Sequence, residues 1–157
     1  MANKKKKKKT IDIILPNYNS HGFVEETIKS IMSQTYKNWK LFIVDDCSNK
    51  QTVKSLKKFS KIKKMKIYWL KKNYGAGYCR NYAIKKSNSP YIAFIDSDDL
   101  WKKDKLETQL RFMENNNYFF TYTSYETFGR KIKHIKPPFE FDYKKFIRDT
   151  SICTSTM

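Results

Sequence analysis

Short apolar runs alternate with helically spaced apolar positions along most of this chain. Residues 11–15 form an apolar run closed by Pro16, the pattern of a strand entering a loop. Val24, Ile28, Ile31 and Met32 then recur at helical spacing, with Glu25 and Glu26 in the first turn, where carboxylates favour a helix. Trp39–Val44 predicts a second strand, closed by Asp45-Asp46-Cys47-Ser48-Asn49. A Lys-rich helix over about 51–60 places Val53, Leu56 and Phe59 on one side. Ile67–Leu70 reads as a third strand, Asn73–Gly77 as a loop, and 77–87 as a helix. Tyr91–Ile95 is a fourth strand, apolar enough to be covered on both faces. Leu106, Leu110 and Met113 mark another helix, and Tyr118–Tyr122 a fifth strand after the break at Asn115–Asn117. Beyond residue 124 the periodicity fades, and Pro137-Pro138 interrupts it again.

Strand and helix alternating four times predict an α/β fold, a mostly parallel central sheet with helices on both faces. Such sheets bind ligands outside the carboxyl ends of their strands. The polar clusters fall at those ends: Asn17-Tyr18-Asn19, Asp45-Asp46, Asn73 with Gly75, and Asp96-Ser97-Asp98-Asp99. Four loops converging on one edge make a candidate site.

Composition narrows the picture. The 157 residues are 39% hydrophobic and 16% aromatic, enough for a packed core and too apolar for a disordered chain. No stretch reaches the ~18 apolar residues of a membrane span, and the start has no signal-peptide pattern, so a cytoplasmic protein is expected. Cys47, Cys79 and Cys153 lack paired spacing, and only His21 and His134 are present, which argues against a disulfide frame, a zinc site and imidazole chemistry. The formal charge of +18 invites a nucleic-acid or membrane reading. Six of those charges lie in Lys4–Lys9, however, and the rest spread over helix surfaces in a chain rich in Asn, Ile, Tyr and Phe. Solvated surface is the simpler account of them. The expected division is a disordered lysine tail over 1–9, an α/β domain over 10–125 and, once the periodicity fades, the start of a second half over 126–157.

The chemistry centres on carboxylates. Three within four residues, at the end of an apolar strand, repel one another and call for a proton, a lysine or a cation. Asp96 and Asp98 could present oxygen to Mn²⁺ or Mg²⁺, which keep water and phosphate in their shell. Alternatively, Asp98 or Asp99 caps a helix beginning near 102. Asp45-Asp46 is either a plain turn or a pair that accepts hydrogen bonds from a base or ribose. Arg80 can pair with a diphosphate or form a structural ion pair with Asp45 or Asp96. Gly75-x-Gly77 alone is a flexible turn, and Trp101 reads as a packing anchor.

Five blocks together resemble family-2 glycosyltransferases. They are Ile14–Asn19, Ser30–Tyr36, Ile43–Ser48, Asn73-Tyr74-Gly75 with Ala76, Arg80 and Asn81, and Tyr91–Trp101. They occur in family order over about 10–125, with a looser likeness beyond. The resemblance implies a GT-A fold, incomplete at the C-terminus, that binds a nucleotide-diphospho-sugar, UDP-sugar favoured. It places Pro16, Tyr18, Asp45, Asp46, Asn73, Gly75, Arg80 and Asp96 at the nucleotide sugar, and Asp98 with Asp96 at an Mn²⁺ or Mg²⁺ ion. Asp45 would meet the base and Asp96 the ribose. It also implies inverting transfer to a glycan or lipid-linked acceptor. The family's general base lies downstream of the metal motif, and is expected beyond Met157; Glu126, Glu140 and Asp142 sit in no recognisable base motif. Ile152–Thr156 resembles the start of a strand of that second half. Peripheral contact with the inner face of a membrane through Lys4–Lys9 would suit a lipid-linked acceptor. Two other readings stay open: a basic membrane or nucleic-acid module, with nucleic acid disfavoured, and a nucleotidyltransferase, for which Asn17–Ser20 lacks a cationic phosphate-gripping loop.

Overall fold

The computed structural model describes residues 9–129, 131–138, 143–148 and 152–157. Four parallel strands, β1 (Ile11–Asn17), β2 (Trp39–Asp45), β3 (Met65–Trp69) and β4 (Tyr91–Phe94), form a sheet in the order β3-β2-β1-β4. Their connections are α1 (Val24–Met32), α2 (Lys50–Lys57) and α3 (Ala76–Ile84), and α4 (Lys105–Asn116) follows β4. Side chains alternate across the sheet, as the two-residue repeat of a strand demands. Ile11, Ile13, Leu15, Leu41 and Ile43 face Val24, Ile28 and Ile31 of α1, Leu56 of α2, and Leu106 and Leu110 of α4. Ile14, Phe42 and Val44 face Cys79 and Ala83 of α3. Helices therefore cover both faces, three on one side and one on the other.

The register between β1 and β2 runs from Ile11 opposite Trp39 to Asn17 opposite Asp45. Both strands end level, so their polar C-terminal residues emerge together. Asp12, fully buried in β1, was invisible as a structural residue in the sequence. Its carboxylate accepts Ser87 Oγ at 2.7 Å and Ser89 Oγ at 2.7 Å, fixing the turn from α3 into β4.

Four expectations are corrected. Tyr118–Tyr122 is not a strand; β5 (Tyr125–Glu126) and β6 (His134–Ile135) form a separate antiparallel ribbon instead. Phe119 is fully exposed, so the apolar run there has no sheet to join. β4 is not covered on both faces: it is an edge strand, with Ile92 37% exposed. Ile152–Thr156 does not extend as a strand but enters a 3-10 turn at Thr154–Thr156, where a β4 amide reaches it: Phe94 N–H donates to Met157 O at 3.3 Å. Finally, neither Asp98 nor Asp99 caps a helix near 102, because α4 starts at Lys105 behind Asp104, which makes no side-chain cap. The short helix α5 (Tyr143–Arg148) completes the described elements.

Lys4–Lys8 lie outside the described residues. Lys9 is tied to the domain: its ammonium lies 3.3 Å from Glu114 and 5.3 Å from the centre of the Tyr91 ring. Among the described residues no helix is long and apolar enough to cross a membrane.

Candidate functional site

The loops after β1 and β4 and the N-terminal half of α3 enclose a cleft of about 250 Å³. Pro16, Asn17, Tyr18, Asp46, Ala76, Cys79, Arg80, Asp96, Ser97 and Asp98 line it. It opens beyond the carboxyl ends of the neighbouring strands β1 and β4.

The first acidic turn is tied down. Asp45 accepts Asn17 Nδ2 at 2.7 Å and the Ser48 amide at 3.1 Å. Asp46 accepts the amides of Tyr74 and Gly75 at 2.8 and 2.7 Å. Both aspartates are 2% exposed. Cys47 turns the chain with φ of 64°, and Asn49 caps α2 by accepting the Thr52 amide at 2.9 Å. Asp46 thus fixes the loop that begins α3, where Gly75 adopts φ of 86°, a backbone state that glycine takes without side-chain strain. Of the first turn's carboxylates only that of Asp46 reaches the cleft; Asp45 braces β1 against β2 behind it. Asn73 is exposed on the same loop, and Gly75 is half-buried.

The second turn is held largely through its backbone. Thr27 Oγ1 donates to Ser97 O at 3.0 Å, Gln34 Nε2 donates to Lys102 O at 2.8 Å, and Gln34 Oε1 accepts the Leu106 amide at 3.1 Å. Gln34 is fully buried, so the block Ser30–Tyr36 is explained by this clamp. From the other side, Ser155 Oγ accepts the Asp96 amide at 2.9 Å and Ser155 O accepts Trp101 Nε1 at 2.9 Å. Trp101 is the anchor it was read as. Thr27, Gln34 and Ser155 were missed as site supports, because a polar residue's partner is set by the fold and not by spacing.

Arg80 donates to Asp96 at 2.5 Å, so the ion-pair alternative is realised with Asp96 and not Asp45. The guanidinium is not satisfied: its Nε is buried without a partner among the described residues. Burial, with Asp98 and Asp96 adding repulsion, pushes the Asp99 carboxyl up, against a hydrogen bond from Ser155. On the cleft floor, burial and then the neighbouring Asp46 push the Cys79 thiol up to about 12. No group of three or more Asp, Glu, His or Cys capable of holding a metal exists among the described residues. Asp96 and Asp98 are therefore two oxygen donors and not an all-protein cage. That donor set fits an ion that completes its shell with water and phosphate. Glu126 lies away from the cleft, paired with Lys102 at 3.5 Å, and Glu140 and Asp142 fall outside the described residues.

Comparison with known proteins places the chain among glycosyltransferases. A glycosyltransferase of Bacillus subtilis named for teichuronic acid biosynthesis, TuaG, is 36% identical over 96% of this chain and 62% of its own length. An Escherichia coli protein named UDP-Glc:alpha-D-GlcNAc-diphosphoundecaprenol beta-1,3-glucosyltransferase WfgD is 35% identical, over 90% of this chain and 56% of its own. The chain thus spans at most about three-fifths of these relatives. Among solved structures, S. aureus TarS in complex with UDP superposes with a TM-score of 0.64 at 30% identity, over 69% of this chain and 33% of that one. The mannosyltransferase PcManGT of Pyrobaculum calidifontis, solved with GDP-Man and Mn²⁺, shares the fold at a TM-score of 0.62 and 18% identity. The model of Glycosyl transferase family 2 matches residues 12–156, well past the region where the five motifs lie, and the chain belongs to that family.

Proposed function

We propose that residues 10–125 bind a nucleotide-diphospho-sugar, a UDP-sugar in the first instance, for inverting transfer of the sugar to an acceptor hydroxyl. The observation that carries this reading is the buried, unpartnered Nε of Arg80 beside Asp96 and Asp98 in one cleft. A guanidinium with an idle donor suits a diphosphate oxygen. TarS, a relative by structure, was solved with UDP and with UDP-GlcNAc, which favours uridine over other nucleotides.

In the proposed complex Arg80 turns its free donor to the diphosphate while still steering Asp96. Tyr18, half-exposed at the lip, borders the nucleotide, and the Asp46-fixed amide loop sets the start of α3 against it. Contact between Asp45 and the base requires that Asp45 exchange its bond to Asn17 or Ser48, so bracing is its first role. Asp98 and Asp96 would hold Mn²⁺ or Mg²⁺, which supplies positive charge against the departing nucleoside diphosphate. The acceptor hydroxyl then attacks the anomeric carbon from the opposite face. No described carboxylate besides Asp46, Asp96 and Asp98 lines the cleft, so none is assigned as the base.

The test is titration calorimetry of UDP with and without Mn²⁺. Wild type should bind in an Mn²⁺-dependent manner, and Asp98→Ala should remove that dependence while leaving the melting curve in place. Binding indifferent to both metal and substitution would overturn the site.

A further inference from the structure

The charge on this molecule is not spread evenly. Between Asp46 and Asp96 there is no Asp or Glu, while the same stretch carries twelve lysines and Arg80. In the fold this acid-free stretch becomes α2, the edge strand β3, α3 and the other edge strand β4, with α3 on the face of the sheet away from α2.

On that face α3 carries two apolar rows. Cys79 and Ala83 point into the core, and Tyr74, Tyr78 and Tyr82, spaced by four, run beside them, with Tyr82 partly buried against the same core. Tyr74 and Tyr78 are 45% and 46% exposed. Three exposed lysines sit on the aromatic surface. Lys72 lies 4.8 Å from the ring centre of Tyr74, Lys86 5.6 Å from that of Tyr82, and Lys66 6.0 Å from that of Phe42, which stacks on Tyr68 beneath the ladder.

The ring geometry selects the partner. Tyr74 and Tyr78 stack on each other at 4.4 Å and 17°, and Tyr82 packs edgewise against Tyr68 at 5.4 Å. With Lys72 also 4.8 Å from the Tyr74 ring centre, these rings already have partners. A sugar ring or a nucleobase needs an open aromatic face to stack on. What the ladder offers is a row of paired tyrosines among ammonium groups. That combination suits a bilayer interface, where tyrosine keeps its ring at headgroup depth and lysine extends to anionic phosphate.

We propose that the outer flank of α3, with the adjoining lysine of β3, is a docking surface for an anionic phospholipid bilayer. Tyr74 stands directly before α3, whose first turns line the cleft, so docking brings the cleft's rim to the membrane. The surface is separate from the lysine tail and does not depend on the donor-binding reading.

Sedimentation of the full chain with vesicles of phosphatidylcholine, with and without phosphatidylglycerol, tests it in the absence of nucleotide and metal. Binding is expected only with phosphatidylglycerol. Each lysine near such a surface contributes about fivefold, so Lys66→Glu, Lys72→Glu and Lys86→Glu together should weaken binding by more than tenfold. The same charge change at Lys29, Lys37 and Lys103, outside the acid-free stretch, should weaken it much less. Equal loss from both sets would overturn the proposal, as would a short RNA that binds more tightly than the vesicles and is lost with the same three lysines. Hydrogen–deuterium exchange on the wild-type chain needs no variant. Vesicle-induced protection across 66–86 is expected, and protection confined to residues 1–9 would overturn the surface. Because no nucleotide is present, either result leaves the UDP titration to stand or fall by itself.

Discussion

The two acidic turns of this protein are alike in sequence and opposite in setting. Asp45-Asp46 ends β2, in the middle of the sheet, and both carboxylates are buried and bonded to Asn17, Ser48, Tyr74 and Gly75. Asp96–Asp99 follows β4, at the sheet's edge, and its backbone is gripped by Thr27 and Ser155 while Asp96 and Asp98 open into the cleft. A buried carboxylate must be satisfied by protein donors, because leaving one bare costs several times what its bonds contribute. An edge turn is under no such demand and can leave its charge for a ligand. Position in the sheet, and not the number of aspartates, separates a buried brace from a carboxylate open to the cleft.

The sharpest way to break that contrast is stability. Asp46→Ala removes two charge-assisted hydrogen bonds and should destabilise the fold by about 3–5 kcal/mol. Asp98→Ala, on an exposed position, should stay within about 0.5 kcal/mol of wild type. Urea denaturation compares them directly, and equal midpoints would erase the distinction between the turns. A smaller effect separates the open turn's partner from a mere positive charge. Arg80→Lys keeps the charge but not the planar fork, so UDP affinity should fall about tenfold with the urea midpoint little changed. An unchanged affinity in calorimetry would reduce Arg80 to a general cation. The smallest effect concerns the thiols of the two settings. Cys47 is exposed, whereas the Cys79 thiol is buried and pushed up to about 12. At neutral pH iodoacetamide should alkylate Cys47 and spare Cys79 until the chain is unfolded, as read by mass spectrometry; early modification of Cys79 would mean that the cleft floor opens.

Much of this was legible beforehand. The strands β1 to β4 and the helices between them follow from apolar periodicity, with ends shifted by a few residues. The convergence of Tyr18, Asp46, Arg80, Asp96 and Asp98 followed from placing polar clusters at strand ends. Tyr118–Tyr122 was misread because β propensity cannot say whether a neighbouring strand is there to pair with. β4 was misread because an apolar strand looks alike in the centre and at the edge of a sheet. The supports of the acidic turn were not readable at all: Gln34 and Ser155 act across 68 and 59 residues respectively.

By itself the sequence determined the α/β order of elements, the edge at which a site forms, and the family signature carried by five motifs. Only the tertiary structure decided that the Asp45 and Asp46 carboxylates are bonded within the fold, that Arg80 is bonded to Asp96 with one donor idle, and that Lys72 and Lys86 meet Tyr74 and Tyr82. The reason is physical. Periodicity is local and survives in the unfolded string, whereas burial and hydrogen-bond satisfaction belong to pairs of distant residues and exist only once the chain has closed on itself.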